Sequence, residues 1–409
     1  MPLRSHLKAS LNFMHKFSRW FLVLSLVVVP AFAQRTIGPV EVTADTQAIP
    51  VRVSSDSPEL NALALQAFGV HGRYRLVASG FSHDIRFAPA GATAVRVDIT
   101  RSNGTPVHSE TVNGTTLRHA LLRAADVAVE RTNGLGLRGF FAAKLAFIGE
   151  RTGRKEVYTS DLFFGEVRQI TRDNAHAFGP RWSPDGTRLL YTSYYKSGFP
   201  DIFQIDLNTY QRTTFVSFRG TNSGATFSPD GQRVAMVLSG EGNPEIYVSD
   251  AQGRNVSRRT RTDAVEASPS FSPDGARLVF TSDAAGGPQL YIMATAGGSM
   301  QRVPTNISRY CTEPDWSRAN PNKIAFTARI GSGFQIAVHD FGKGASAQVS
   351  RAPFDGVEPA WLADGRHLVF TVRDRSSSRL HILDTETGRS VPISPANFGS
   401  VMQAAIWQP

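Results

Sequence analysis

The chain has 409 residues, 41% hydrophobic, 19% charged and 10% aromatic, with a formal net charge of +10 and a single cysteine, Cys311. That balance excludes a disordered, collagen-like or disulfide-scaffold protein, and one thiol allows no internal disulfide. The length predicts about two or three domains, and 35 glycines and 23 prolines are enough to punctuate many short strands.

The first 33 residues read as an export signal. Arg4, Lys8, Lys16 and Arg19 precede the apolar run Phe21 to Val29, which ends in Pro30-Ala31-Phe32-Ala33 without an acidic residue. The run falls short of the about 20 residues that cross a bilayer, so cleavage near Ala33 and an exported product, peripheral to membranes at most, are expected. Initiation at Met14 would give a more compact signal. Removing the four basic residues leaves a net charge of +6. No cysteine stands at the cleavage site for lipid attachment, and Cys311 is expected to be a small buried hydrophobe. Dense Lys/Arg clusters with interleaved aromatics are missing, which argues against nucleic acid as a partner.

Residues 34–139 read as a small α/β domain. Pro58 to Phe68 has helical apolar spacing and stops at Gly69. Tyr74 to Ala78, Ala94 to Thr100 and Val107 to Val112 alternate as strands, the last two joined by a hairpin turn at Ser102-Asn103-Gly104. Leu117 to Arg131 is the strongest helix, ending at Asn133-Gly134.

Residues 140–409 carry a repeat. Trp182-Ser-Pro-Asp-Gly186, Phe227-Ser-Pro-Asp-Gly231 and Phe271-Ser-Pro-Asp-Gly275 are followed by weaker copies at Trp316 and Trp361 and by Trp407, at steps of 45, 44, 45, 45 and 46. An apolar β-run follows each turn, then a third strand and a polar fourth. Four antiparallel strands per repeat are the unit of a β-propeller blade, which must stack on its neighbours to bury its faces. Leu145 to Ile148, Glu156 to Asp161 and Val167 to Thr171 supply three strands of a blade whose inner strand is Ala404 to Trp407. The expected fold is therefore mainly β: a six-bladed propeller closed by both ends of its domain, which removes exposed edges, preceded by a small α/β domain. A seventh blade would need about 45 further residues.

Chemistry for catalysis is sparse. There is no Gly-x-Ser-x-Gly, no His-Glu-x-x-His and no Cys/His cluster with metal spacing. No catalytic residue, metal or cofactor is expected. His119 reads as a helix-face residue, and the Pro-Asp-Gly residues as turn formers. The loops entering the inner strands gather at one mouth of the channel, where His176, Phe178, Thr221, Asn222, Glu266, Thr312, Glu313, Glu358 and Gln403 form a polar set with one aromatic, suited to protein or peptide recognition.

The order of signal, α/β domain and repeats with Ser-Pro-Asp-Gly turns resembles the periplasmic TolB family. The junction is similar as well, from Leu117-Arg118-His119-Ala120 through Ala125-Asp126, Thr132-Asn133-Gly134 and Gly139-Phe140-Phe141 to Lys144-Leu145-Ala146-Phe147-Ile148. The resemblance implies a Tol-Pal scaffold that docks the lipoprotein Pal at the channel mouth and supports outer-membrane integrity and cell division. It also implies the mouth residues as contacts and TolA as a second partner, although Gln34 to Pro50 shows no match to that family's TolA-engaging segment. The alternative is a secreted propeller enzyme or carbohydrate-binding protein using the same mouth, marked by a tight cluster of carboxylates or histidines.

Overall fold

Residues 48–409 are described by the structure, a computed structural model. The signal segment, the two start sites and most of Gln34 to Pro50 lie outside the described residues. No helix among the described residues is long and apolar enough to cross a membrane.

Alternation of apolar and polar residues builds the first sheet. Its strands are β1 (Ile49–Ser55), β2 (Tyr74–Leu76), β3 (His83–Pro89), β4 (Ala94–Arg101) and β5 (Pro106–Asn113), in spatial order β2-β1-β3-β4-β5. Strand β1 pairs in parallel with both β2 and β3, and the rest of the sheet is antiparallel. Val51, Val53, Ile85, Phe87, Val95 and Val97 share one buried face with helices α1 (Pro58–Val70) and α2 (Leu117–Thr132). Each helix has a side-chain cap: Ser57 Oγ accepts the Leu60 N–H, and Thr116 Oγ1 accepts the His119 N–H. The sequence reading anticipated both helices but not β1 and β3.

Downstream, six four-stranded sheets follow. Their inner strands are Ala177–Trp182, Asn222–Phe227, Glu266–Phe271, Cys311–Trp316, Asp355–Trp361 and Val401–Trp407, for blades 1 to 6 in that order. In blade 6 the C-terminal strand Val401–Trp407 pairs antiparallel with Lys144–Gly149, and Glu156–Asp161 and Arg168–Gln169 complete the sheet. Closure by both ends is thus as anticipated. The second strands are buried on both faces, as at Leu189 to Tyr191 and Leu278 to Phe280, because blades stack face to face. In blade 2 the Asp230 carboxylate accepts from the Ser228 hydroxyl and the Gln232 N–H, and these bonds hold it below the usual carboxylate range.

One anchor needs correction. Leu189, Val234, Leu278, Ile324 and Leu368 lie opposite Trp182, Phe227, Phe271, Trp316 and Trp361, but Leu145 lies opposite Ile406. Ile406 therefore occupies the sixth anchor position, and Trp407 stands one residue beyond it, which accounts for the long final step. Its indole N–H donates to the Pro184 carbonyl at 3.0 Å, across the seam between blades 6 and 1. The ring fills the space above Gly186, where a Cβ would fall 2.2 Å from the indole.

Strand direction decides which loops share an end. Inner strands run from the mouth to the Pro-Asp-Gly turns, so the loops joining second to third strands and those joining successive blades all lie at the mouth. The α/β region packs at the other end, on blades 5 and 6. There Asp126 accepts the N–H groups of Phe140, Phe141 and Ala142 and the side-chain amide of Gln408, and Gly139 sits beside Ala363 and Gln408.

Candidate functional site at the channel mouth

Every inner strand carries a β-bulge where the pairing register shifts. At each bulge one residue adopts a left-handed backbone: Gly179 (φ 61°), Gly224 (62°), Ser268 (52°), Glu313 (54°), Glu358 (58°) and Gln403 (56°). Left-handed conformation is uncommon for a non-glycine residue. Here it turns the Glu313, Glu358 and Gln403 side chains along the wall, so that each reaches the bulge of the next blade.

The result is a collar of hydrogen bonds. Glu313 accepts the Thr327 hydroxyl at 2.7 Å and the Glu358 N–H at 3.1 Å. Glu358 accepts the Thr371 hydroxyl at 2.9 Å, the Gln403 N–H at 3.2 Å and the Gln403 side-chain amide at 3.1 Å. The Gln403 carbonyl then accepts the Gly179 N–H at 2.9 Å, crossing the closing seam. Two positions further along the strand, Asp315 accepts the Trp361 N–H at 2.8 Å and Ser270 Oγ accepts the Trp316 N–H at 3.1 Å. The relay stops at Gly179, where nothing lies within 4 Å of a built Cβ. One side of the collar is therefore closed by side chains, and the side over blade 1 stands open.

The channel has a volume of about 670 Å³, and Phe178, Thr221, Glu266, Glu313, Glu358 and Gln403 all line it. Burial first, and the neighbouring Glu358 charge second, push the Glu313 carboxyl upward. Burial and the adjacent Glu245 push Glu266 up to about 7. Asp315 is raised by burial, with Arg181 lining the same channel and partly offsetting the rise. These carboxylates are spread around a wall and satisfied by hydroxyl and amide donors. They orient hydrogen bonds around the wall.

Three sequence candidates fall elsewhere. His176 is exposed on the loop ahead of blade 1, outside the channel lining. Thr312 is half-buried within its strand pair, also outside the lining. Asn222 is fully buried; its amide donates to Phe218 O at 2.8 Å and its carbonyl accepts the Phe218 N–H at 3.0 Å. It shapes the loop and presents no surface.

The sequence reading missed an apolar rim. Tyr194, Tyr195, Phe199, Phe218, Val265, Tyr310 and Phe354 are exposed, and all belong to mouth loops. Val265, Tyr310 and Phe354 each stand one residue before an inner strand. Arg181 and Asp315 were missed too, although they are charges at inner-strand positions where the other blades carry Thr226, Ser270, Ala360 and Ala405.

A second cluster, His71, Asp364 and His367, brings potential metal-ligand atoms within 4.8 Å of one another. Its donor set does not suit a metal. Asp364 Oδ1 accepts the Arg366 and His367 N–H groups, Asp364 Oδ2 pairs with His367 Nδ1, and His367 Nε2 accepts the Gly72 N–H.

Comparison with known proteins places this geometry in a family. The model described as PD40, TolB beta propeller domain, matches residues 133–409. A Tol-Pal system protein TolB of Desulfosudis oleivorans is 38% identical over 127 residues, and one of Desulfotalea psychrophila is 31% identical over 128. Each match covers 31% of this chain and 28% of the relative, so the aligned stretch spans under a third of those proteins. The crystal structure of TolB from Acinetobacter baumannii superposes with a TM-score of 0.77 at 23% identity, over 88% of this chain and 96% of that one, a likeness of fold. With the family model covering the whole ring of blades and the junction before it, the chain belongs to the TolB β-propeller family.

Proposed function

We propose that the protein is a periplasmic scaffold of the Tol-Pal system that docks the lipoprotein Pal at the channel mouth and, through that contact, supports outer-membrane integrity and division. The observation that carries the reading is the apolar rim. Seven large hydrophobic side chains exposed at one end of a propeller form the kind of patch that marks a protein interface. The α/β region occupies the opposite end, so this face is clear of the rest of the described chain. Phe178, Tyr194, Phe199 and Phe218 flank the open side of the collar, where Gly179 leaves room for an inserted side chain. Glu313, Glu358 and Gln403 hold the closed side, with His176 and Thr221 as neighbouring contacts, Glu266 and Thr312 in the wall behind them and Asn222 as a loop support. TolA is a second partner under this reading.

The test is capture of Pal from the same genome by the mature protein. Phe199→Ser with Phe354→Ser is expected to weaken capture at least about tenfold, since aromatic anchors dominate such interfaces, with no change in melting temperature. Gly179→Asn, which tolerates the left-handed backbone, should obstruct the open side and also weaken capture. Unchanged capture by both variants would remove the mouth as the docking site.

A further inference from the structure

The loop after α1 meets blade 5 through a buried joint containing two histidines. The Gly72 N–H donates to His367 Nε2 at 3.2 Å, and a Cβ at Gly72 would fall 1.8 Å from Asp384 Oδ2, so the loop lies flat on the blade. His367 Nδ1 is 2.5 Å from Asp364 Oδ2, and Arg366 forms two hydrogen bonds to the Asp384 carboxylate at 2.9 and 2.8 Å. His71 is fully buried, its ring 4.5 Å from that of His367 and 4.6 Å from that of Phe140. Its Nδ1 accepts the Arg73 N–H at 3.2 Å, while its Nε2 is buried with no hydrogen-bond partner.

These contacts fix where protons can sit. Facing Asp364, His367 carries its hydrogen on Nδ1 and leaves the Nε2 lone pair for the Gly72 N–H. A second proton, on Nε2, would meet that N–H head to head. The groups facing His71 are Arg73 and Tyr74 from its own loop and β2, Asp364, Arg366 and His367 from the blade 5 turn, Asp384 from the third strand, and apolar Phe140 and Phe141 from the junction. Arg366 is already committed to Asp384 and Asp364 to His367, so a cation on His71 would be buried beside two guanidinium groups without an acceptor of its own.

We propose that this joint is an acid-sensitive latch: neutral His71, seated against His367, holds the α/β region on blade 5, and its protonation releases it. When released, His71 is solvated and titrates near its ordinary value of about 6.5. When docked, burial first, then repulsion from any proton held by His367 and from the Arg366 and Arg73 guanidinium groups, keep its pKa well below that value. The docked form therefore binds fewer protons below about pH 6.5. Docking is intact above that pH and is lost as the pH falls, by up to about tenfold in its equilibrium constant per unit for the proton taken up by His71. The latch lies at the end of the propeller away from the mouth and stands or falls independently of the partner assigned there.

The experiment is hydrogen–deuterium exchange of the full mature protein between pH 7.5 and 5.0, corrected for intrinsic exchange. X-ray scattering reports the radius of gyration, and far-UV circular dichroism reports the folded sheets. At pH 5.0 the segments 69–76 and 364–368 should exchange at least about tenfold faster, with a larger radius and an unchanged dichroism spectrum. His71→Phe, a ring without a titrating nitrogen, should abolish the response, and His176→Gln on the exposed loop should leave it intact. An identical acid response in His71→Phe and the parent, or no response in the parent, overturns the latch. A measurement on the unaltered protein guards against a misfolded variant: the His71 ring should titrate in step with exchange. A ring that titrates near 6.5 while both segments stay protected overturns the proposal, as does a zinc-induced rise in melting temperature at pH 7.5, which would place a metal on these nitrogens.

Discussion

Glu266 shows how far a single residue can depart from its appearance in sequence. It is fully buried and accepts the Ser282 hydroxyl at 2.7 Å, and burial together with Glu245 raises its carboxyl to about 7. A carboxyl raised in the fold contributes stability that is present below its unfolded value of about 4.3 and lost as the pH rises through the folded value. Glu266→Gln removes that loss. Its melting temperature should match the parent near pH 4, exceed it increasingly from about pH 4.5 to about 7, and keep that margin at higher pH; parallel curves across the range would show that the pair does not titrate. The sequence picked out Glu266, Glu313, Glu358 and Gln403 by their offset from the repeat anchors, and all four line the channel. It could not show that the last three have left-handed backbones, because neither Glu nor Gln favours that conformation and the bulge exists only once two strands pair.

At the scale of the element, the collar and the seam depend on where strands are paired. Gln403 spans two blades through its side chain alone, donating to Glu358 and accepting from Gly179. Gln403→Asn keeps the amide and tolerates the left-handed backbone but is too short to reach both partners. It should cost about 1–2 kcal/mol, read as a lower midpoint in denaturant; a midpoint within error of the parent would mean the collar adds nothing to closure. Periodicity made the two helices and the repeated blade strands readable. Strand β1 escaped because both of its pairings are parallel and leave no hairpin signal in the chain between partners; β3 has one parallel and one antiparallel partner, and its connection to β4 carries none of the two-residue turn signals that mark a tight hairpin. The displacement of Trp407 escaped for a related reason. A tryptophan at nearly the right interval looks like an anchor until the register against Leu145 shows Ile406 in its place.

For the whole molecule, closure of the ring is the dominant fact. Deleting Val401 to Pro409 removes the inner strand of blade 6, the Gln403 bridge, the Trp407 cover and the Gln408 contact to Asp126 together. The truncated chain should lose cooperative unfolding and aggregate, because blade 6 is left with an unpaired edge and blade 1 with an uncovered face; a monomer with a sharp melting transition would show that closure is dispensable.

The sequence by itself determined the repeat, the number of blades and their closure by both ends, since these follow from the spacing of turns and apolar runs along the chain. Only the tertiary structure decided which end of the channel is covered, that the mouth is ringed by exposed aromatics, and that two histidines nearly 300 positions apart, His71 and His367, share one buried joint. Local periodicity records what each strand buries, whereas the meeting of distant loops depends on strand direction and ring closure, which no local pattern contains.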